Sequence, residues 1–374
     1  MKNRLISKLG KFYQKQRNSD PLLRGKTAKF FLVMIAVITI ALYFAMRSAP
    51  ATNAYTTSWI GNTYGGGSKW VQNYVDAMYV GSDGTVYTNS TWDEAGREAG
   101  IYKNGDVVGP DFQLHGWSRV GGKAITANSK YIYLAMFQGS MGKIKEDYPP
   151  EGTSWYCVRR YTLSGKAAGF AGGRGYDKSM LIVSTKNPVT GLATVGNQLY
   201  VSIAKANRVS VYNTDTMTEV RNFSVSNAGQ ITIDKQGNLW IIQGKNGSTP
   251  PQILHYSAEG KPLPKVIADV VDPSAIAIDN QGRLLVAENG PRQQVLIYNI
   301  AGKPKQVGTF GIERGIFAGV PGEVGDLKFY GLTGVGTDAA GNIYVNSNGF
   351  NNSGTDLRKF SPSGKLQWRL VGLH

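Results

Sequence analysis

Residues 229–267, 273–311 and 331–372 repeat a single pattern of strands and turns, and this repeat constrains the fold more than any other feature of the chain. Each copy holds a short apolar strand, a turn with Gly, a second apolar strand, a third strand that ends in Tyr or Phe, a second Gly turn and a fourth strand. Fainter copies cover residues 75–109, 122–172 and 190–225. A single copy cannot bury both faces of its strands, so the copies must stack against one another.

The spacing of the copies predicts the architecture. The residues at the first turns lie 45, 67, 41, 45 and 59 positions apart: Gly84, Ser129, Gly196, Gly237, Gly282 and Gly341. A period of roughly 40–45 residues with four strands in each unit is typical of a β-propeller. We therefore expect an all-β fold, a six-bladed β-propeller over residues 57–374. Residues 57–60 look like the end of a fourth strand, so we expect them to pair with the last blade or to exchange with one of its strands.

The copy at residues 272–311 carries the motif P-x-x-I-A-I-D-x-x-G-x-L-x-V-x-E. This motif resembles NHL repeats, and residues 75–372 follow it loosely. The resemblance implies a six-bladed propeller, and the chain is also similar to exported bacterial NHL-type proteins of uncertain role. It implies little about function, because NHL-like propellers serve as scaffolds, receptors, RNA binders and, in a few cases, enzymes.

The N-terminal residues have a different character. Residues 1–29 carry nine Lys or Arg and one Asp, and residues 30–46 form an uncharged apolar run of 17 residues. Such a run spans roughly 25 Å as a helix, close to the thickness of a hydrocarbon core. The positive-inside rule predicts a basic cytoplasmic tail at 1–29, a transmembrane or signal-anchor helix at 30–46, a linker at 47–56 and an extracytoplasmic propeller.

A cleaved signal peptide is the alternative to a retained anchor, because Ala49, Pro50 and Ala51 form an A-x-A pattern. The protein is then secreted rather than a single-pass plasma-membrane protein. The formal net charge of +16 is concentrated in residues 1–29, so it does not indicate a nucleic-acid partner. We expect no nucleic-acid binding, a membrane contact through residues 30–46 and a monomer.

The long segments between strands predict a binding face. In an up-and-down blade, the loops between strands 2 and 3 and between blades emerge on one face, which we call the loop face. The turns between strands 1 and 2 and between strands 3 and 4 emerge on the opposite turn face. We expect the long segments at 89–100, 138–156, 172–188 and 311–331 to lie on the loop face. The alternative is that these loops lengthened without a function, but the concentration of long loops on one face favours a binding role.

The loop at residues 89–100 and the start of the following blade carry the densest set of charged and aromatic side chains. Carboxylates beside Trp suit acid–base work or recognition of a sugar by stacking and hydrogen bonds. The alternative is a short capped turn in which Arg97 pairs with a neighbouring Glu. The candidate ligand-binding residues here are Trp92, Asp93, Glu94, Arg97, Glu98, His115, Trp117 and Arg119.

Glu288 and Asn289 complete the candidate residues. At the end of strand 2 NHL repeats usually place Asp, and Glu288 is the only carboxylate at this position among the six copies. Oxygens of Glu288 and Asn289 suit a Ca²⁺-type ion, but a ring of acidic ligands is missing, so we expect no cofactor and no metal centre. Three histidines and the single cysteine, Cys157, cannot form a His- or Cys-rich zinc site.

Two functional hypotheses follow. The first is a membrane-tethered, extracytoplasmic binding module for a polysaccharide, a peptide or a protein. The second is a propeller-type lyase or lactonase, similar to gluconolactonases. Carboxylates that converge on the propeller axis favour the enzyme, whereas an aromatic and polar rim favours the binding module.

Overall fold

The fold was analysed in a computed structural model that describes residues 56–59, 71–93, 99–108, 119–141 and 148–373. The predicted tail at 1–29, the apolar segment at 30–46 and nearly all of the linker lie outside these residues. None of the helices within the described ranges has the length and apolar character to span a bilayer. The chain divides into two units, Met1–Ala54 and Tyr55–His374, and the second unit contains every described residue.

Six β-sheets form the second unit, and we call them blades 1–6. Blades 1 and 2 contain β2 (Ala77–Val80), β3 (Val86–Asn89), β4 (Ala99–Lys103) and β5 (Asp106–Val107), then β6 (Arg119–Val120), β7 (Ile125–Ala127), β8 (Tyr131–Gly139), β9 (Ser154–Thr162) and β10 (Met180–Ser184). Blades 3 and 4 contain β11 (Gly191–Val195), β12 (Gln198–Ile203), β13 (Arg208–Asn213) and β14 (Glu219–Ser224), then β15 (Ala228–Ile233), β16 (Leu239–Gln243), β17 (Gln252–Tyr256) and β18 (Pro262–Ile267).

Blades 5 and 6 contain β19 (Pro273–Ile278), β20 (Leu284–Glu288), β21 (Gln294–Asn299) and β22 (Lys305–Phe310), then β23 (Leu332–Thr337), β24 (Ile343–Ser347), β25 (Gly354–Phe360) and β26 (Leu366–Leu373), with β1 (Thr56–Trp59) beside β26. The helical elements in the described residues are three short 3₁₀ turns, Ala204–Ala206, Gly315–Phe317 and Phe350–Asn352. The first strand of each blade contacts the first strand of the next, and β23 contacts β2, so the sheets close into a ring. The expected all-β fold of six blades is confirmed.

The core lies between the blades rather than within them. The buried apolar residues form one cluster at each of the six boundaries between neighbouring blades. At the boundary of blades 4 and 5, for example, Trp240 and Ile253 pack with Val286 and Leu296. This arrangement confirms that the repeats bury their apolar faces by stacking.

The first turns of blades 4–6 are built from an Asp and a Gly three residues apart. The carboxylate of Asp279 accepts hydrogen bonds from the backbone N–H groups of Gln281 and Arg283, at 2.9 and 2.8 Å. Gly282 has a φ of 81°, a conformation that side chains rarely adopt. The same Asp-x-x-Gly spacing occurs at Asp234 and Asp338. The repeated Asp therefore stabilises a tight turn between strands 1 and 2.

The ring closes without a shared strand. The expected pairing of the segment near residue 57 with the last blade is confirmed, because β1 lies parallel to β26 with Thr57 opposite Arg369. However, β1 is a fifth strand at the outer edge of blade 6, whose other four strands are consecutive in the sequence. Side-chain packing between β2 and β23 joins blades 6 and 1. There Gly336 faces Val80, and a Cβ at Gly336 would lie 2.9 Å from the Val80 Cβ.

The expectation that residues 172–188 lie on the loop face is wrong for most of this segment. A tight turn ends β9, where Thr162 N–H donates to Lys166 O at 2.7 Å. The chain then leaves the ladder after residue 168 and returns as β10, with Met180 opposite Arg159. The insertion thus interrupts the fourth strand at the outer edge of blade 2. Arg160 holds its start by donating to Gly169 O at 2.7 Å.

Candidate functional site

The propeller axis contains a cavity of about 360 Å³ lined by the first strands of all six blades. Its wall consists mainly of aliphatic and Thr side chains, and it ends among first-turn residues such as Ser82 and Asn280. The two carboxylates in its lining, Asp279 and Asp338, are engaged in their own turns. Across the described ranges, no group of three or more His, Cys, Asp or Glu side chains could hold a metal ion. The described lining of this cavity therefore contains two carboxylates, both already bonded within their own turns.

The predicted site at residues 92–119 is partly described. Trp92 is 40% exposed and stacks on Tyr74, with ring centroids 6.5 Å apart. Asp93 is only 4% exposed, and its carboxylate accepts a hydrogen bond from Asn73 N–H at 2.9 Å. The other predicted members of this loop and of the next blade's start lie outside the described residues: Glu94, Arg97, Glu98, His115 and Trp117.

Arg119 lies in β6 at the start of blade 2. Its Nε donates to the Gln138 side chain, and its guanidinium lies 5.2 Å from the centre of the Tyr148 ring. Thr91 and Val120 line one apolar cavity of about 280 Å³, so the loop after β3 and strand β6 do come together on the loop face. Trp92, Asp93 and Arg119 do not line this cavity, so their grouping into one site stays a prediction.

Glu288 is fully buried, and donors engage both of its oxygens. Asp272 N–H and Gly290 N–H donate to Oε1 at 2.7 and 3.1 Å. Val271 N–H and the Arg292 guanidinium donate to Oε2 at 2.9 and 3.0 Å. A cation at Glu288 would have to displace these donors. The geometry therefore does not support a Ca²⁺-type ion bound by Glu288. The carboxylate holds the loops around blade 5 together.

Polar side chains at other strand-2 ends connect neighbouring blades. Asn89 Nδ2 donates to the carbonyls of Ala124 and Ala135 in blade 2, at 2.9 and 2.8 Å. Asn348, just after β24, accepts from Val75 N–H at 3.0 Å and donates to Val75 O at 2.9 Å. Sequence reasoning missed these contacts because the partner lies in another repeat.

A groove on the loop face between blades 5 and 6 is a second candidate site among the described residues. It consists of two neighbouring cavities of about 380 and 280 Å³ that share Tyr330, Gly349 and Phe350. We call them the outer and the inner cavity, because strand β26 lines the first and the first-strand residue Thr333 lines the second. Phe350 is 66% exposed and lines both cavities.

Aromatic and aliphatic side chains form the rim of this groove. Phe317 packs edge-on against Tyr330 at 5.2 Å, with an interplanar angle of 87°. Exposed Val320 and Val324 belong to the same segment, residues 311–331. The sequence predicted this segment as a loop-face insertion, but it did not single out the aromatic residues. A possible signal was the presence of large apolar residues in a Gly-rich loop that has no strand pattern.

Charged groups fix the wall of the outer cavity. Asp356 receives two hydrogen bonds each from Arg358, at 2.5 and 3.0 Å, and from Arg369, at 2.8 Å. Burial opposes ionisation, but these two guanidinium groups hold the pKa of Asp356 below its usual value. Arg358 Nη1 also donates to the carbonyls of Gly325 and Asp326. This arginine therefore ties the 311–331 loop to blade 6.

Two buried hydroxyls in the outer cavity have no partner. Ser347 on β24 and Thr355 on β25 line the cavity and are 4% and 1% exposed. Neither Ser347 Oγ nor Thr355 Oγ1 has a hydrogen-bond partner. Buried polar atoms are usually paired, and these two oxygens have almost no accessible surface, so they are unsatisfied without being open to a ligand.

The single cysteine, Cys157, is shielded by the fold. The thiol lies in β9 and is completely buried. Burial raises its pKa to about 12, although Arg159 and Arg119 oppose the shift. A thiol in this state is not a nucleophile near neutral pH.

No protein-family model and no curated protein matches the sequence. Among solved structures, the chain is similar to hydrazine synthase of Kuenenia stuttgartiensis, at 15% identity and a TM-score of 0.45, over 78% of both chains. A nidogen/laminin complex matches at 14% identity and a TM-score of 0.45, over 78% of this chain and 96% of that one. The WD40 propeller domain of Doa1 matches at 10% identity and a TM-score of 0.42, over 75% and 91%.

These similarities are too distant to carry an argument about function. The closed ring of six sheets itself defines the class of protein as a six-bladed β-propeller. Membership of the NHL group remains a prediction from the repeat motif.

Proposed function

We propose that this chain is a binding propeller that recognises its partner with the loop face, through the groove between blades 5 and 6. The observation that carries the proposal is that exposed Val324 and Phe350 line two adjoining cavities, with exposed Phe317 packed against the shared Tyr330. Exposed apolar groups gathered around concave pockets are typical of interaction sites. The axial cavity, by contrast, brings together no set of acid–base or metal-ligating groups within the described ranges.

The proposal includes the location of the propeller. The charge step across residues 30–46 and the likeness to exported NHL-type proteins support a membrane-tethered, extracytoplasmic domain. The ligand is then a polysaccharide, a peptide or a protein outside the membrane. The residues predicted at 92–119 are expected on the same face and would extend the contact surface.

Arrays of glycans and peptides test the proposal. The full chain, purified in detergent micelles, should give a reproducible signal on at least one array. Replacing Phe317 by Ala should weaken that signal about 5- to 150-fold, which corresponds to the loss of a stacking or packing aromatic. Lys303 is exposed on the turn between β21 and β22, so Lys303→Ala is the control and should bind like the parent.

Two outcomes would contradict the proposal. One is the absence of any signal from correctly folded protein. The other is an equal loss of signal in the Phe317 and Lys303 variants, which would mean that the loop face is not the binding face.

A further inference from the structure

We infer that the turn face of blades 4–6 docks on the anionic phospholipid headgroups of the membrane in which the chain is proposed to be anchored. This inference rests on the membrane-tethered location in the proposed function, and it concerns the face opposite to the groove. Two independent observations carry it. One is the direction in which the chain enters the propeller at β1, and the other is a group of exposed lysines on the turns of these blades.

The orientation of β1 shows on which face the chain enters the propeller. Strand β26 is the fourth strand of blade 6, so it begins at the turn face, next to Lys365, and runs towards the loop face. Strand β1 is parallel to β26, and Thr56 lies opposite Trp368, close to the start of β26. The first residue of β1 is therefore at the turn-face end of blade 6.

The length of the linker keeps this end of the blade near the proposed anchor. Residues 47–56 are all that separates the predicted segment at 30–46 from the rest of β1. A fully extended chain covers at most about 3.3–3.6 Å per residue, so this linker can reach roughly 35 Å. With so short a tether, the face on which the chain enters is the face that can meet the bilayer with the least extension of the linker.

Exposed lysines are concentrated on the turn face of blades 4–6. They lie in the turns or at the first residue of the strand that follows: Lys235, Lys261, Lys303, Lys305 and Lys365. Among the described turn residues of these three blades, the exposed anion is Glu259. On blades 1 and 2, by contrast, Lys103 and Lys130 are paired with aspartates at 2.6 and 3.3 Å. The charge without an acidic partner therefore lies mainly on blades 4–6.

The buried aspartates of the first turns do not cancel this charge. Asp279 is paired with Arg283 at 2.7 Å, and Asp338 lies 3.8 Å from Lys359 Nζ, so each has a cation besides the exposed lysines. A lysine ammonium is a compact point charge that suits phosphate groups, and lysines near an anionic bilayer each add to the attraction. The exposed group is thus complementary to anionic headgroups.

The loop face of blades 5 and 6 is less suited to such a surface. The segment at 311–331 carries three acidic side chains, Glu313, Glu323 and Asp326, and two basic ones, Arg314 and Lys328. Docking through the turn face would also leave the groove directed away from the bilayer. A partner outside the membrane could then reach the groove.

Energy transfer from a labelled cysteine to acceptor lipids tests the inference with the full chain in nanodiscs. Gly302→Cys puts the label on the turn face, where no atom lies within 4 Å of an added Cβ, and Phe350→Cys puts it on the loop face. The native Cys157 is buried and stays unlabelled. The discs contain phosphatidylcholine alone or mixed with phosphatidylglycerol. Transfer from position 302 should rise in the anionic discs, and transfer from position 350 should stay low in both.

Removal of lysines separates docking from tethering alone. The triple variant Lys261→Gln, Lys303→Gln and Lys305→Gln should lower the ratio of docked to undocked chain in anionic discs about 100-fold, because each lysine near an anionic surface contributes about fivefold. Transfer from position 302 should then match that in neutral discs. Salt at about 1 M should have the same effect on the parent, since the Debye length falls to about 3 Å.

A matched triple variant on the other face is the control. Lys186, Lys205 and Lys245 are exposed in connections on the loop face. Replacing all three by Gln removes the same charge from the molecule and should leave the transfer from position 302 unchanged. Both triple variants should keep the thermal midpoint of the parent, because exposed side chains contribute little to stability.

The outcomes separate this inference from the proposed function. Equal transfer from positions 302 and 350 in anionic discs, or an equal loss in the two triple variants, would overturn the docking and leave the groove to be decided by the arrays. Greater transfer from position 350 would mean that the loop face meets the bilayer, which contradicts both proposals. If polyphosphate in solution binds the chain but anionic lipid has no effect, the lysines bind a soluble polyanion and the lipid surface is overturned. A chain that does not enter the discs would refute the anchor and the docking together.

Discussion

At Glu288 and Asp93, single carboxylates that look like ligand-binding groups in the sequence serve the fold. Glu288 accepts from three backbone N–H groups and one arginine, and Asp93 accepts from Asn73 N–H. Residue type alone cannot distinguish these roles, because an acidic side chain at the end of a strand is compatible with either. The deciding fact is which loops fold back over the carboxylate, and that depends on contacts distant in sequence.

His255 shows how burial at the residue scale sets a pH dependence. Its side chain stacks on Trp240 at 4.3 Å, and its Nε2 lies 3.3 Å from Asp234 Oδ2. Burial lowers its pKa from 6.5, although Asp234 opposes the shift. The unfolded state therefore binds a proton more readily than the folded state does. Stability should be present above pH 6.5 and should be lost as the pH falls below it.

Urea unfolding between pH 5 and 7 measures this effect. The free energy of unfolding should fall by at most about 1.4 kcal/mol per pH unit below about pH 6.5, the slope of a single proton. His255→Phe keeps an aromatic ring against Trp240 and should remove the slope, whereas His374→Asn should retain it. A flat profile in the parent, or an equal slope in the Phe variant, would contradict the assignment.

At the scale of elements, strands and tight turns could be predicted from the sequence, and the course of long insertions could not. Strands 1 and 2 of blades 4–6 follow from period-2 alternation and the Asp-x-x-Gly turn, which are local patterns. The insertion in blade 2 was assigned to the wrong face. Its placement depends on Arg159 and Arg160, which hold the two ends of a segment that interrupts the fourth strand before β10. The groove was missed for a related reason: Arg358 fixes the 311–331 loop from another strand.

The predicted membrane segment at residues 30–46 is an element that protease accessibility can test. Because the positive charges lie almost entirely before it, residues 57–374 should be exposed to protease added to intact cells, and residues 1–29 should be protected. Terminal epitope tags followed by immunoblotting give the readout. Digestion of the N-terminal tag with protection of the propeller would indicate the opposite topology, and recovery of a mature chain that begins near Thr52 would favour the signal peptide.

At the scale of the whole molecule, stability depends on six similar interfaces between blades. The repeat alone predicted the number of blades, since each copy supplies one sheet and none can bury its faces alone. The sequence did not predict how blades 6 and 1 meet. Gly334 and Gly336 in β23 allow Met78 and Val80 to approach closely, and two glycines in a strand give no signal of what faces them.

Gly336→Ala tests the importance of this closure. The added methyl group would collide with Val80, so the free energy of unfolding should fall by about 1–3 kcal/mol, the usual cost of overpacking. Gly302→Ala is the matched control, since no atom lies within 4 Å of its added Cβ. Chemical denaturation of both variants gives the comparison. If they lose the same stability, β2 and β23 are not closely packed at this seam.

The buried state of Cys157 has a practical consequence for this chain. With a single thiol, shielded from solvent and with its pKa raised to about 12, the fold neither requires an oxidant to mature nor suffers from one. The fold therefore does not depend on the formation of a disulfide within the chain. It also gives a nearly silent background for thiol-reactive probes. A cysteine introduced at Phe350, which is 66% exposed, can thus be labelled selectively, and the loop face can be observed by fluorescence while the native thiol is left in place.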